Sequence, residues 1–201
     1  MERKPVGISA DNLRRHVTML AGTIGPRSVF RPAALRAAAD YIEGEWRAQG
    51  WAVNRQVYEV NGMACANLEV VIPGRERALE IVVVGAHYDT VDESPGANDN
   101  GSGVAALLEL SREFTPQART VRFVAFVNEE PPWFHTERMG SRVYAQACRQ
   151  RGDDVRAMIA LETMGYYRDE PGSQRFPSRL FHLVFPDRGN FIGFVSDLQS
   201  R

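Results

Sequence analysis

The chain has 201 residues, 24% of them charged and 44% hydrophobic, with a formal net charge of -1. That length suffices for one sizeable core, and the near-neutral balance removes the field that draws proteins to nucleic acid or anionic membranes. No run approaches the roughly 20 apolar residues that cross a bilayer. The basic N-terminal stretch MERKPVGISADNLRRHV leads into no apolar segment, so the sequence predicts a cytoplasmic protein without a membrane partner.

Two amphipathic helices come first. After Ser9, the residues Leu13, Val17, Leu20 and Ala21 share one helical face; from Pro32, Leu35, Ala38, Ala39, Ile42 and Trp46 do the same until Gly50. Strand-like runs follow: VNRQVYEV from Val53, NLEVVIP from Asn67, LEIVVVGA from Leu79, TVRFVAFV from Thr120, RAMIALE from Arg156 and RLFHLVF from Arg179. Helical patterns over 102–113 and 141–149 separate the later strands. Alternating strands and helices predict an α/β sandwich with a largely parallel central sheet and an antiparallel edge formed by the first two strands. No repeat or linker interrupts the chain, which reads as one domain over residues 1–201. Cys65 and Cys148 lack a Cys or His at ligand spacing and read as two reduced, partly buried thiols.

The polar clusters all follow strands. His87 and Asp89 come after IVVV, Glu129 and Glu130 after FVAFV, and Glu162 after AMIAL. Ligands of open α/β sheets bind at the carboxyl ends of the strands, so three strands deliver acids and a His to one edge. One imidazole with several carboxylates and no thiolate suits zinc, manganese or cobalt. A carboxylate can bridge two ions, and Asp99, within GANDNGSG, is the bridge candidate, where Gly and Asn permit unusual backbone angles before Ser102 opens the next helix. Asp89 is placed to accept the second ring N–H of His87. Adjacent Glu129 and Glu130 point different ways on an extended chain, which suits one to ligation and the other to general-base work. The Gly-rich loop lacks both the Lys-Ser/Thr ending of a P-loop and the glycine spacing of a dinucleotide site.

HYDTV, PGANDNGSGVAALLEL, FVNEEPP, MGS and LETMGYY together resemble the zinc metallopeptidases of family M28, which include bacterial leucyl aminopeptidases, in order and spacing from about Asn12 to Phe194. The resemblance implies a three-layer α/β/α sandwich with a mixed, mostly parallel sheet and a co-catalytic di-zinc site. Carried over, His87 and Glu162 hold one zinc, Glu130 holds the other, Asp99 bridges them, and Glu129 is the general base. Glu162 stands where many members have Asp. The family's second zinc also takes a His from beyond the segment matching RLFHLVF, so the resemblance implies that the C-terminal part of the family domain is missing here. One of the two zincs is then expected to be well held, and an exposed sheet edge is expected to self-associate. Of the other histidines, His16 reads as a surface or core-edge residue and His182 as structural, which leaves His135 as the one candidate to replace the missing ligand. Trp133, Phe134, Tyr166 and Tyr167 are candidates for an apolar pocket wall or for packing. The implied activity is aminopeptidase-like hydrolysis of peptide or aminoacyl substrates. The rivals are glutaminyl-cyclase-like acyl transfer and a non-catalytic binding module.

Overall fold

The structure is a computed structural model that describes residues 7–176, 178, 180–181 and 184–196. It falls into two compact units, Met1–Thr163 and Met164–Arg201.

The first unit holds four α-helices and one five-stranded sheet among its described residues. Helix α1 (Ala10–Val17) is capped by the Ser9 side chain, which accepts the Asn12 N–H, and continues into a wide π-helical segment, Thr18–Ile24. Helix α2 (Pro32–Ala48) starts on proline and buries Leu35, Ala38, Ala39, Ile42 and Trp46, the positions that the helical periodicity selects. Burying side chains such as Leu35 and Ile42 contributes about 1.5–3 kcal/mol each. The Trp46 indole N–H donates to Ser111 Oγ at 2.8 Å, which ties α2 to α3 (Gly103–Glu113). Helix α4 (Gly140–Arg151) ends at Gly152 in the left-handed conformation.

The strands are β1 (Asn54–Val60), β2 (Met63–Ile72), β3 (Arg77–His87), β4 (Arg119–Phe126) and β5 (Asp154–Ala160), in the order β1-β2-β4-β3-β5. β1 pairs antiparallel with β2, and β2 antiparallel with β4, whereas β3 runs parallel to both β4 and β5. Four strands therefore point one way and β2 alone opposes them. Val121, Phe123 and Ala125 of β4 join the core under α2 and α3, while Val124 and Phe126 join Ile81, Val83, Tyr144 and Cys148 on the α4 side. This period-two alternation makes the sheet the middle of three layers. Cys65 and Cys148 are free, buried and in separate cores. No helix among the described residues is long and apolar enough to cross a membrane.

Two readings of the sequence change here. His16 is fully buried rather than peripheral, because its ring meets the Tyr41 hydroxyl at 2.7 Å and Glu109 at 3.4 Å. Ser102 makes no capping bond to α3; its hydroxyl donates to Asn98 O at 2.7 Å, and Asn100 Oδ1 instead accepts the Gly103 N–H at 3.0 Å.

The described residues of the second unit form turns. Arg168 N–H donates to Gly189 O, and Gln174 N–H to Asp187 O, both at 2.9 Å. Of the strand expected from Arg179, the residues Arg179, His182 and Leu183 lie outside the described residues. The remainder is turn, not strand: the Phe181 carbonyl accepts from both Val184 and Phe185 N–H, and the Phe176, Phe181 and Phe185 rings cluster at 5.7–6.0 Å.

Candidate metal centre

The parallel strands bring their carboxyl ends to one edge. His87, the last residue of β3, lies opposite Phe126, the last of β4, and Tyr88 N–H donates to Phe126 O at 2.9 Å. β5 ends beside Gly85, where Leu161 N–H donates to the Gly85 carbonyl at 2.8 Å. The residues that follow all three strands thus face one crevice, the usual ligand position in such sheets.

His87 is buried, and its Nε2 lies 3.1 Å from Asp99 Oδ1, 3.6 Å from Glu162 Oε1 and 3.7 Å from Glu129 Oε2. His87, Asp99 and Glu130 each offer one ligand atom, all within 4.8 Å of one another. Behind the ring, Nδ1 stands 3.6 Å from Asp89 Oδ1, longer than a hydrogen bond, and this buried nitrogen has no hydrogen-bond partner among the described residues. The Asp89 carboxylate accepts the backbone N–H groups of Glu129 at 3.1 Å and Glu130 at 3.0 Å. It therefore ties the β3 exit to the β4 exit as well as facing the imidazole.

The loop Gly96–Ser102 carries Asp99. Gly96 has a positive φ of 61°, and a Cβ there would lie 2.2 Å from the Thr90 side chain, so the turn needs glycine twice over. Asp99 itself is extended (φ -104°, ψ 100°). Asn100, which is fully buried, spends its whole amide locally. Its Nδ2 donates to Leu161 O at 2.8 Å and to Glu162 Oε2 at 3.1 Å, while its Oδ1 takes the Gly103 N–H. The sequence reading treats this Asn only as a flexible loop residue. It is in fact the brace that aims Glu162, and the close packing at Gly103, where a Cβ would meet Asn100 Oδ1 at 2.3 Å, is the trace it leaves in the motif.

Five carboxylates, Asp89, Asp99, Glu129, Glu130 and Glu162, surround this one imidazole. Burial opposes charge on His87, but Asp89, Asp99 and Glu162 outweigh it and push the ring up to about 12. Burial, and then Asp99 and the other carboxylates, raise Glu130 to about 7. Burial also raises Glu129, with Asp89, Glu162 and Asp99 adding to it, whereas the hydrogen bond from His87 lowers Asp99. The cluster thus holds more negative charge than its setting tolerates and takes up protons to offset it. A divalent cation relieves the same imbalance. Imidazole and carboxylate donors without thiolate are the set that zinc and its neighbours accept, so these residues fit a metal ion.

His135 stands apart. It is exposed, its ring packs on Phe134 at 4.0 Å, and it is absent from the ligand group found among the described residues. Trp133 packs against the core, Phe134 is exposed, and Tyr166 and Tyr167 belong to the second unit.

A three-layer α/β/α fold with an imidazole–carboxylate cluster at the carboxyl edge of its sheet defines a class, and sequence comparison assigns the family. A sequence model of peptidase family M28 matches residues 67–183, and the chain belongs to that family. The chain is 36% identical over 205 residues to the uncharacterized protein YfbL of Escherichia coli K12, covering 97% of this chain and 62% of that protein. Aminopeptidase YwaD of Bacillus subtilis is 53% identical over 53 residues, 25% of this chain and 12% of YwaD. The chain thus spans less than two thirds of the length of these relatives. Among solved structures, BSAP, a zinc aminopeptidase from Bacillus subtilis, shares the fold with a TM-score of 0.72 at 16% identity, covering 86% of this chain and 73% of that one. Glutaminyl cyclases share it too, as in one from an Acidobacteriales bacterium (TM-score 0.67, 21% identity, 87% of this chain and 66% of that one).

Proposed function

We propose that the chain is a zinc-dependent exopeptidase domain that hydrolyses peptide or aminoacyl substrates at an amino end. The observation that carries this reading is the convergence of His87, Asp99 and Glu130 within 4.8 Å, with Glu129 and Glu162 beside the same ring. His87 and Glu162 would hold one zinc, Glu130 the second, and Asp99 would bridge them, with the first position the better held. Zinc, when bound, supplies the positive charge that acidifies water and polarises a scissile carbonyl. Glu129 accepts the proton of the attacking water on a carboxylate oxygen, and its raised pKa suits that exchange. As the new C–O bond forms and the C–N bond breaks, the same carboxyl returns the proton to the leaving nitrogen. Asp89 holds the Glu129 and Glu130 backbone, and so fixes where that base stands.

The family match runs across the boundary between the two compact units, which supports treating residues 1–201 as one catalytic domain. Two free, buried thiols support a reducing, cytoplasmic setting. The test is zinc analysis after dialysis, combined with a leucyl-anilide assay and an ammonia-release assay on an N-terminal glutaminyl peptide. About one zinc per chain, with anilide turnover that exceeds ammonia release, supports the exopeptidase; ammonia release alone selects the cyclase. A chain that holds no zinc would be a binding module.

A further inference from the structure

Arg27 is fully buried, where an arginine is normally matched by a carboxylate. Its guanidinium is spent instead on five backbone carbonyls. Nε donates to Tyr88 O at 2.6 Å; Nη1 donates to Leu20 O at 3.1 Å, Gly25 O at 3.2 Å and Pro95 O at 2.8 Å; Nη2 donates to Gly96 O at 3.2 Å. The main chain of Arg27 is fixed as well, since its N–H donates to Thr90 Oγ1 and its carbonyl accepts the Thr90 N–H, both at 3.0 Å. Three separate segments therefore meet on one side chain: the end of the π-helical turn, the exit of β3 beside His87 and Asp89, and the loop that leads to Asp99.

We propose that Arg27 is a positioning residue of the metal centre, a fixed post that clamps the Pro95–Asp99 loop to the end of β3 so that Asp99 is delivered to His87. This rests on the metal-site reading above. The geometry requires a guanidinium: a planar fork reaches acceptors in several directions, whereas the lysine ammonium is a single point with three donors. Burial opposes the charge on Arg27 and lowers its pKa to about 10, while the negative charges of Asp89 and Asp99 act against that loss. Arg27 touches no reacting atom, so its influence on the site runs through the loop.

The experiment is zinc competition against a chromophoric chelator on the whole 201-residue chain, with circular dichroism to confirm folding. Arg27→Lys and Arg27→Met should bind zinc about 10–100-fold more weakly, the range seen when the support of a ligand is removed. Methylguanidinium added to Arg27→Ala should restore part of the affinity. Trp46→Phe loosens the core away from the loop, and it should lower the melting temperature with zinc affinity unchanged. Should the Arg27 variants not fold, Gly96→Ala keeps the guanidinium but places a Cβ 2.4 Å from Asp99 O, and the same weakening is expected. A folded Arg27 variant, or in their absence Gly96→Ala, that binds zinc within twofold of the unmutated chain overturns this inference alone. An unmutated chain that binds no zinc overturns both this inference and the metal reading.

Discussion

Glu129 and Glu130 are neighbours in the chain, pinned through their N–H groups by the same Asp89 carboxylate, yet only Glu130 joins His87 and Asp99 in the tight ligand group. In the presence of added zinc, Glu130→Ala should therefore lose the weaker, second zinc, whereas Glu129→Gln should keep the metal and reduce leucyl-anilide turnover by about 10²–10⁴-fold, the usual worth of a general base. Zinc analysis and turnover measured on the same samples separate the two, and equal zinc loss in both variants would reverse the assignment. The donor types and their strand-end positions are legible in the sequence because both follow from local pattern: an apolar run, then a polar group that does not belong in a core. What supports those donors is hidden. Asn100 looks like a turn residue and Arg27 like a loop cation, because their partners (Leu161 and Glu162 for one, Tyr88 and Pro95 for the other) lie some 60 residues away along the chain. No local periodicity reports such contacts.

At the scale of elements, α2 buries the stripe that its period predicts and β4 sends alternate residues to the two cores. The exceptions are places where a polar side chain decides. His16 sits on α1 among Arg15, Tyr41, Glu45 and Glu109, which come from α1, α2 and α3. From sequence alone a His beside two Arg residues reads as exposed; the Tyr41 hydroxyl and Glu109 carboxylate that accommodate it inside become visible only after the three helices pack. Burial, reinforced by the Arg15 charge, holds its pKa below the ordinary imidazole value. The folded chain therefore keeps this ring neutral, while the unfolded chain protonates it near its ordinary pKa of about 6.5. Stability from this group is present above that pH and declines as pH falls through it towards the lower folded value, with a slope of at most about 1.4 kcal/mol per pH unit for one proton. Thermal melts of the metal-free chain between pH 7.5 and 5 should show the unmutated protein losing stability faster than His16→Gln over the acid part of that range. Parallel curves would mean that His16 is protonated in the fold.

Among the described residues, the sheet ends on β5, which pairs with β3 along one side. All seven residues of β5 are exposed, including Val155, Met158 and Ile159 at 39%, 47% and 47%. An edge strand with free backbone donors and apolar side chains is a template for another strand. β1, at the opposite edge, is blunted by its polar positions Asn54, Arg55, Gln56 and Glu59 and by the ion pairs of Arg55 with Asp40 and Glu43. Association should therefore run through β5, and its first consequence is for the metal centre. β5 leads directly into Leu161 and Glu162, so a strand added to its edge stiffens the segment that carries one proposed ligand. Light scattering of the purified 201-residue chain should show size increasing with concentration. Ile159→Lys, which puts a charge on the exposed edge without touching His87, Asp99 or Glu130, should shift the chain towards monomer. If the edge also steadies Glu162, the same variant should bind zinc more weakly at high protein concentration than the unmutated chain, with the difference vanishing on dilution. A chain that stays monomeric at every concentration, or an Ile159→Lys variant that associates as strongly as its parent, would rule β5 out as the contact.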